Sequence, residues 1–232
     1  MAVVARDSDR AGLRSLLGRV VRWRVAPIWY GVVLLGPLAF QALAVALHVA
    51  LGGRTPQPAA LLGTLPVVLA LSAYYLLFVA LLEEVGWRGY ALPALQGRHG
   101  ALLSGAVVGA AWALWHLPLP FNPSTLYSNL PFVLFVAWLI PLSILLTWVF
   151  NSTGGSVLMV ALLHAGINAS SEMWKALPEY SGRLAAADAA AATVHVNLMG
   201  AIVLWAAGVV VILVYGPRDL SWRPRPGLVD RP

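Results

Sequence analysis

Hydrophobic residues form long, nearly unbroken runs along this chain, and six of them are close to the roughly 20 residues that cross a hydrocarbon core as a helix. The second run extends to about residue 95 if the polar segment that follows it is also helical. The runs do not alternate between apolar and polar positions, so strands are not expected. The pattern predicts an all-α polytopic transmembrane helix bundle of about six spans, at residues 28–51, 61–82, 101–118, 130–150, 154–170 and 194–216.

The composition agrees with membrane insertion. Of the 232 residues, 60% are hydrophobic and only 10% are charged, whereas a soluble domain carries about 25% charged residues. Ten tryptophans and seven tyrosines suit anchoring at the membrane–water interface. The chain has no cysteine, which excludes disulfides, iron–sulfur clusters and cysteine-based zinc sites.

The net charge of +6 is interpreted as a signal of membrane orientation, and no nucleic-acid partner is expected. With six spans and both termini in the cytoplasm, twelve of the fifteen basic residues fall on the cytoplasmic side. The other three are Arg54, Lys175 and Arg183. This bias matches the positive-inside rule. Because all but one of the basic residues are arginine, we expect a GC-rich genome and a bacterial plasma membrane.

Three regions are predicted along the chain: a basic cytoplasmic tail at 1–27, the bundle at 28–216, and a cytoplasmic C-terminal tail at 217–232. Residues 5–24 have the pattern of a basic amphipathic helix that lies on an anionic inner leaflet. A disordered positive tail is the alternative. The helical interpretation rests on the i, i+3, i+4, i+7 spacing of Leu13, Leu16, Leu17 and Val20.

Two adjacent glutamates directly follow the second apolar run. An ionisable residue inside a membrane span is a candidate functional residue, because its burial is costly. Glu84 and Arg88 are four residues apart, so on a helix they can form an ion pair. Glu83 lies about 100° around the helix from its neighbour and has no such local partner. The spacing therefore predicts one structural carboxylate and one available for chemistry.

Polar residues also occur in the third and fifth predicted spans. His116 lies near the end of the third, and His164 and Asn168 share one helical face of the fifth. Gly166, beside them, allows close helix packing. If the second helix reaches residue 95, these side chains and Glu83 lie at similar depths. If the second helix instead ends at residue 82, the two glutamates form a pair in an interfacial loop. For each histidine the alternative role is structural, because a single buried histidine more often satisfies a hydrogen bond within a bundle.

The remaining histidines and polar helix ends are interpreted as ordinary features of a membrane bundle. His48, His99 and His195 are predicted to lie at the interface. Asn151 and Ser152 end the fourth span and are predicted to be capping residues.

Three short motifs together resemble the CPBP family, the CAAX-protease and bacteriocin-processing group of intramembrane proteases. This group includes type II CAAX prenyl proteases and bacterial Abi-type proteins. The resemblance covers residues 75–170. The chain departs from the family pattern in two ways: Trp112 stands where phenylalanine is common, and six spans are predicted where some members have eight. The motifs are EExxxR (Glu83, Glu84, Arg88), an aromatic residue four before a histidine (Trp112, His116), and HxxxN (His164, Asn168).

This resemblance implies an intramembrane endopeptidase that hydrolyses a peptide bond of a membrane-associated protein or peptide. It implies that Glu83 and His116 activate a water molecule and that His164 and Asn168 stabilise the oxyanion. The second glutamate of the first motif and its arginine would hold the site together.

The choice between a metal-free and a zinc mechanism stays open in the sequence. Glu83, His116 and His164 would form a two-histidine, one-carboxylate Zn²⁺ site with one open position. The HExxH signature of many zinc proteases is absent. A water activated by glutamate alone is equally compatible with these residues and is slightly preferred.

Two other functions are compatible with the same residues. One is a non-catalytic immunity or scaffold protein that keeps the polar site for binding. The other is a proton or ion translocator, which the clustering of polar residues at one depth disfavours. A prenylated substrate is not expected in a bacterium.

Overall fold

The computed structural model describes residues 12–122, 130–180 and 186–228. All regular structure in these ranges is helical, which confirms the predicted all-α bundle. Short 3₁₀ turns lie at Leu119–Phe121, Ser171–Ala176 and Pro178–Tyr180. The main helices are α1 (12–20), α2 (Ile28–Ala50), α3 (Pro58–Gln96), α4 (Ala101–Trp115), α5 (Phe132–Ser152), α6 (Val157–Ser170) and α7 (Ala186–Tyr215).

A helix lies at each of the six predicted positions, but within the described residues only α2, α3, α5 and α7 are long and apolar enough to cross a membrane. Helices α4 and α6 have 15 and 14 residues, so they rise only about 22 and 21 Å against a hydrocarbon core of about 30 Å. The predicted third span ends early because Pro118 disfavours a helical conformation just before it. By this criterion four of the roughly six predicted spans are long enough to cross, and α4 and α6 are the short ones.

Helix α3 carries the glutamate pair well inside one continuous helix of 39 residues, which is about 58 Å long at the standard rise. The predicted extension beyond residue 82 is confirmed, and the interfacial-loop alternative is wrong. Two π-helical segments, Leu76–Ala80 and Trp87–Ala91, lie on either side of the pair. Such π turns are rare and occur frequently at functional sites.

Glycines bring α4 and α5 into close contact. A Cβ atom added to Gly109 would lie 2.7 Å from the Ser143 Cβ and 3.0 Å from the Ile140 Cα, and one added to Gly105 would lie 2.7 Å from the Thr147 Oγ1. The two glycines are four residues apart, the small-xxx-small spacing that lets membrane helices approach closely. The predicted role of Gly166 is confirmed in the same way, since its added Cβ would lie 2.7 Å from Pro37 Cγ.

We expect Gly109→Ala to lower the free energy of unfolding by about 1–3 kcal/mol, because the methyl group meets backbone that cannot move away. Gly63→Ala is the matched control, since nothing lies within 4 Å of its added Cβ. The control is expected to be neutral or slightly stabilising, because alanine favours a helix over glycine. Denaturant titration of both variants in detergent measures the difference. Equal stability would show that α4 and α5 do not depend on this contact.

The N-terminal helix α1 packs against the bundle through one face. Leu16 is buried, and the Arg19 side chain is only 1% exposed. The Arg19 guanidinium donates to the carbonyl oxygens of Gly89 at 3.1 Å, Gly227, and Leu228 at 3.3 Å. Arg19 therefore joins α3 to the C-terminal segment. The helix was predicted to lie on an anionic lipid surface, but its Arg19 is turned to the bundle, where it donates to backbone carbonyl groups.

The segment after α7, predicted to be a tail, folds back against the ends of α3, α4 and α5. The Ala101 N–H donates to the Arg218 carbonyl oxygen at 2.7 Å. The Asn151 side-chain amide donates to the Asp219 carbonyl oxygen at 2.7 Å and exchanges two hydrogen bonds with the Gln96 side chain at 3.1 and 3.2 Å. These contacts fix the segment on the bundle.

The interpretation of Asn151 and Ser152 as capping residues is wrong. Asn151 joins helix ends through the side-chain contacts above, and the buried Ser152 hydroxyl has no hydrogen-bond partner among the described residues. At the C-terminal end of a helix the orphan groups are carbonyls, and neither side chain donates to one within its own helix.

A second polar cluster lies at the opposite end of the bundle, and it corrects the interfacial assignment of His48. This histidine is only 1% exposed. Its Nδ1 lies 2.9 Å from the Nδ1 of His195, and its Nε2 lies 3.3 Å from the Glu179 Oε1. The same Glu179 oxygen accepts a 2.7 Å hydrogen bond from the Arg54 N–H. The cluster joins α2, α7 and the 3₁₀ turn Pro178–Tyr180.

Glu179 is expected to stabilise the fold in a pH-dependent way. Burial alone raises the pKa of Glu179, but hydrogen bonds from the Arg54 N–H and from His48 outweigh burial and hold this pKa below its ordinary value of 4.5. A lowered folded-state pKa gives stability that is present above the ordinary value and is lost as the pH falls through the folded value. Glu179→Gln should therefore be less stable than the wild type at neutral pH, with a difference that narrows below about pH 4.5.

Unfolding temperatures of both proteins between pH 7 and pH 3 measure this difference. Glu172→Gln is the control, because Glu172 pairs at 2.6 Å with the exposed Lys175, and exposed pairs contribute little. A difference in unfolding temperature between Glu179→Gln and the wild type that stays constant over the whole pH range would contradict the lowered pKa of Glu179.

Candidate active site

The predicted pair of Glu84 and Arg88 forms at the centre of the bundle and is fully buried. Both carboxylate oxygens of Glu84 accept from Arg88 Nη1 at 2.9 Å. A third residue joins the pair, since His164 Nδ1 lies 2.9 Å from Glu84 Oε1. A carboxylate accepts, so the Nδ1 of His164 carries the proton and donates. Glu84 thus neutralises Arg88 and fixes the orientation of the His164 ring.

Arg88 also reaches the fifth helix through a residue that the sequence analysis did not single out. Its Nη2 donates to the Ser143 Oγ at 3.0 Å, and this hydroxyl donates to the Gly105 carbonyl oxygen at 2.7 Å. One arginine therefore connects α3, α4 and α5. The available sequence signal was a single serine within the otherwise apolar run LIPLSILL.

Trp112 is the central contact of the site and was not among the predicted site residues. Its buried indole Nε1 donates to the Glu83 Oε2 at 2.8 Å. Its ring centroid lies 5.0 Å from that of His164 and 5.8 Å from that of His116. The Arg88 guanidinium lies over the ring, 4.9 Å from its centroid. Glu83 has no ion pair on its own helix, as predicted, but it has a partner across the helix interface.

His116 directly follows the last residue of α4 and is half-buried. Its Nδ1 lies 2.9 Å from the Trp112 carbonyl oxygen. Because a carbonyl only accepts, Nδ1 carries the proton, and a neutral ring then has its lone pair on Nε2. The Trp115 and Phe135 rings pack edge-on against it at 4.8 and 5.4 Å. His116 is therefore held as a ring that can accept a proton.

Asn168 lies one turn beyond His164 on α6 and is half-buried. Its carbonyl oxygen accepts a 2.6 Å hydrogen bond from the Ser171 hydroxyl at the start of the following 3₁₀ turn. No hydrogen bond joins its side-chain amide to the part of the chain that the structure describes. This amide is available to a ligand, and no hydrogen bond joins it to Glu83 or Trp112.

The predicted zinc ligands do not form a metal-binding cluster in this arrangement. Among the residues that the structure describes, no three histidine, aspartate or glutamate side chains are placed to hold a metal ion. Glu83 is oriented by an indole, and the Nδ1 of His164 is used by Glu84. Each of these bonds engages only one atom of its residue, and a metal-ligating histidine ordinarily donates its other ring N–H in this way.

These features define a class: an integral membrane protein of apolar helices that enclose a centre of glutamate, arginine, histidine and tryptophan. Comparison with known families is more specific. Residues 64–170, a little under half of the chain, match the Rce1-like family, described as type II CAAX prenyl endopeptidase Rce1-like. That segment contains all six candidate residues, and the resemblance indicated by the motifs is confirmed over it.

A curated relative supports the same family. The protein "CAAX prenyl protease 2" of Methanococcus maripaludis is 34% identical over 109 residues, which are 43% of this chain and 39% of that protein. The chain thus aligns with about two fifths of the relative's length. The similarity is restricted to one part of each protein.

Proposed function

We propose that this chain is an intramembrane endopeptidase that cleaves a membrane-associated protein or peptide. The observation that carries the proposal is the arrangement around Trp112, whose indole binds Glu83 and whose ring contacts both His116 and His164. A carboxylate and two imidazoles around one buried ring are suitable for acid–base chemistry. The family match over the same segment supports the assignment.

In the proposed reaction, Glu83 and His116 activate a water molecule. The Trp112 bond engages Oε2 of Glu83, and Oε1 takes a proton from the water. The Nε2 of His116 accepts a hydrogen bond from the same water, which orients its oxygen for attack on the scissile carbonyl carbon. The proton then passes to the leaving amine nitrogen as the carbon–nitrogen bond breaks, so that the carboxylate is regenerated.

His164 and Asn168 are proposed to stabilise the negative oxygen of the tetrahedral intermediate. The Asn168 amide donates as it stands. The His164 Nδ1 already donates to Glu84, so donation from Nε2 requires the doubly protonated ring. Glu84 and Arg88 therefore act as positioning residues that orient His164.

The substrate class is proposed from the relative and the fold together. The relative is named as a CAAX prenyl protease, so a C-terminal CAAX peptide, with and without a prenyl group, is the first probe for this chain.

The arginine-rich ends predict a bacterial plasma membrane, an anionic inner leaflet and both termini in the cytoplasm.

The proposal is tested in cells that carry the wild type, Glu83→Ala or His116→Ala, by comparison of newly formed protein N-termini. A set of N-termini should be present with the wild type and absent with both variants. His99→Ala is the matched control, because this exposed histidine lies outside the site, and it should leave the set intact. Membrane insertion and unfolding temperature are measured for every variant.

The same experiment distinguishes a non-catalytic immunity or scaffold role. Cleavage that survives in both Glu83→Ala and His116→Ala rejects the proposed peptidase. A phenotype that persists in these variants without any cleavage difference supports a binding protein of the same fold. Purified protein supplies the metal test: cleavage of the CAAX probe should survive exhaustive chelation, and loss restored by Zn²⁺ would favour a zinc site instead.

A further inference from the structure

A cavity of about 580 Å³ opens at the end of the bundle opposite the His48 cluster, away from the candidate active site. It lies between the end of α3 and the segment that follows α7. We call this cavity the basic pocket. Its lining includes Arg218, Asp219, Trp222, Arg223 and Arg225.

The charges of the basic pocket do not cancel. Arg225 Nε pairs with Asp219 Oδ1 at 2.9 Å, and Arg225 Nη1 donates to the Gln96 carbonyl oxygen at 3.1 Å. This pair uses the acidic residue of the pocket. Arg218 and Arg223 are exposed, and neither forms an ion pair with a described residue. Two guanidinium groups therefore line the cavity without a neutralising partner.

Aromatic side chains place the pocket at the level of lipid headgroups. Trp222 is 78% exposed, and its ring centroid lies 4.6 Å from that of Tyr215, the last residue of α7. The series continues from Tyr215 to Trp148 at 5.8 Å and from Trp148 to Trp29 at 5.0 Å. Tryptophan and tyrosine at the ends of membrane helices lie at the headgroup level. The pocket therefore opens at the membrane boundary.

We infer that the basic pocket binds the phosphate of an anionic phospholipid. The planar guanidinium groups of Arg218 and Arg223 match phosphate oxygens in geometry and charge. The exposed side chains of Leu213 and Val214, at the end of α7, offer an apolar surface for the acyl chains. A free phosphate ion would use the arginines alone, whereas a lipid also uses Trp222 and this surface. The inference does not depend on peptidase activity.

The test uses the full-length protein in detergent and native mass spectrometry. The probes are a short-chain phosphatidylglycerol, a phosphatidylcholine of the same chain length, and inorganic phosphate. We expect phosphatidylglycerol to be retained and phosphatidylcholine to be lost. R218Q/R223Q should weaken phosphatidylglycerol binding by about five-fold for each arginine, about 25-fold in total. W222A should weaken lipid binding as well.

R54Q/K175Q is the matched control, since it removes the same charge from two exposed basic residues outside the pocket lining, toward the other end of the bundle. It should bind phosphatidylglycerol within two-fold of the wild type. An equal loss of phosphatidylglycerol affinity in both double variants would show that general surface charge, and not the basic pocket, binds the lipid. Two results would show that the pocket binds a simple anion and not a lipid. One is displacement of phosphatidylglycerol by an equal concentration of inorganic phosphate, and the other is wild-type lipid binding by W222A.

Unfolding temperatures without added lipid show whether the glutamine variant is folded. If R218Q/R223Q does not fold, R218K/R223K replaces it, because it keeps both charges and removes the planar fork. This lysine variant should bind phosphatidylglycerol several-fold more weakly than the wild type, and unchanged binding overturns the inference.

Discussion

Glu83→Gln should lower the rate of peptide cleavage by about 10²- to 10⁴-fold, the range that a general base contributes. The amide cannot take a proton from water, but its oxygen still accepts the hydrogen bond that Trp112 donates at 2.8 Å. The substitution therefore removes the base and leaves the local structure in place. The turnover of a fluorogenic CAAX probe by purified protein in nanodiscs measures the effect.

Trp112→Phe is the informative companion to this variant. It keeps an aromatic ring between the two histidines and removes the N–H that orients Glu83, together with part of the volume of the buried indole. We expect a smaller loss of turnover than for Glu83→Gln, because the carboxylate remains. A Glu83→Gln protein with wild-type turnover and wild-type unfolding temperature would remove Glu83 from the reaction.

Arg88→Met should lower the free energy of unfolding by about 3–5 kcal/mol, because it leaves a buried carboxylate without its main partner. Glu84 is 0% exposed, and Arg88 meets both of its oxygens at 2.9 Å. The arginine also binds Ser143 and lies over Trp112, so α3, α4 and α5 all lose a contact. Denaturant titration in detergent measures the change.

The double variant Glu84→Gln/Arg88→Met should recover much of this stability, since no buried charge is left unpaired. Glu83→Gln is the control on the neighbouring residue and should change stability little. A double variant that is no more stable than Arg88→Met alone would show that the loss comes from packing around the arginine and not from the uncompensated carboxylate.

Local spacing predicted those parts of the site that lie on a single helix. The Glu84–Arg88 pair depends only on a four-residue separation, and the structure forms it. The apolar runs likewise predicted the helix ends to within about three residues, except that α7 begins at Ala186 and not at residue 194. Glu84 also binds His164, which is 80 residues away in the sequence. Whether residues so far apart meet depends on how the helices pack, which no local pattern records.

The partners missed from the sequence share this property. Trp112 reaches Glu83 because glycine contacts bring α4 into the bundle, and Ser143 reaches Arg88 across the same interface. His48 was assigned to the interface because it lies near a helix end, but it is buried, and the 3₁₀ turn Pro178–Tyr180 supplies Glu179 as its partner. In each case the missed partner is a tertiary contact that replaces solvent or lipid around the side chain.

The short helices α4 and α6 have a consequence for the surrounding bilayer. Both are about 8–9 Å shorter than a typical hydrocarbon core. His164 lies on α6, which is almost wholly buried, and His116 directly follows α4, whose Leu103, Val107 and Leu114 are exposed. Such hydrophobic mismatch is relieved by local thinning of the membrane or by flanking residues that extend to its surface. A thinned annulus beside α4 shortens the path from bulk water to the histidines, so lipid chain length should tune turnover, with thicker bilayers slowing it.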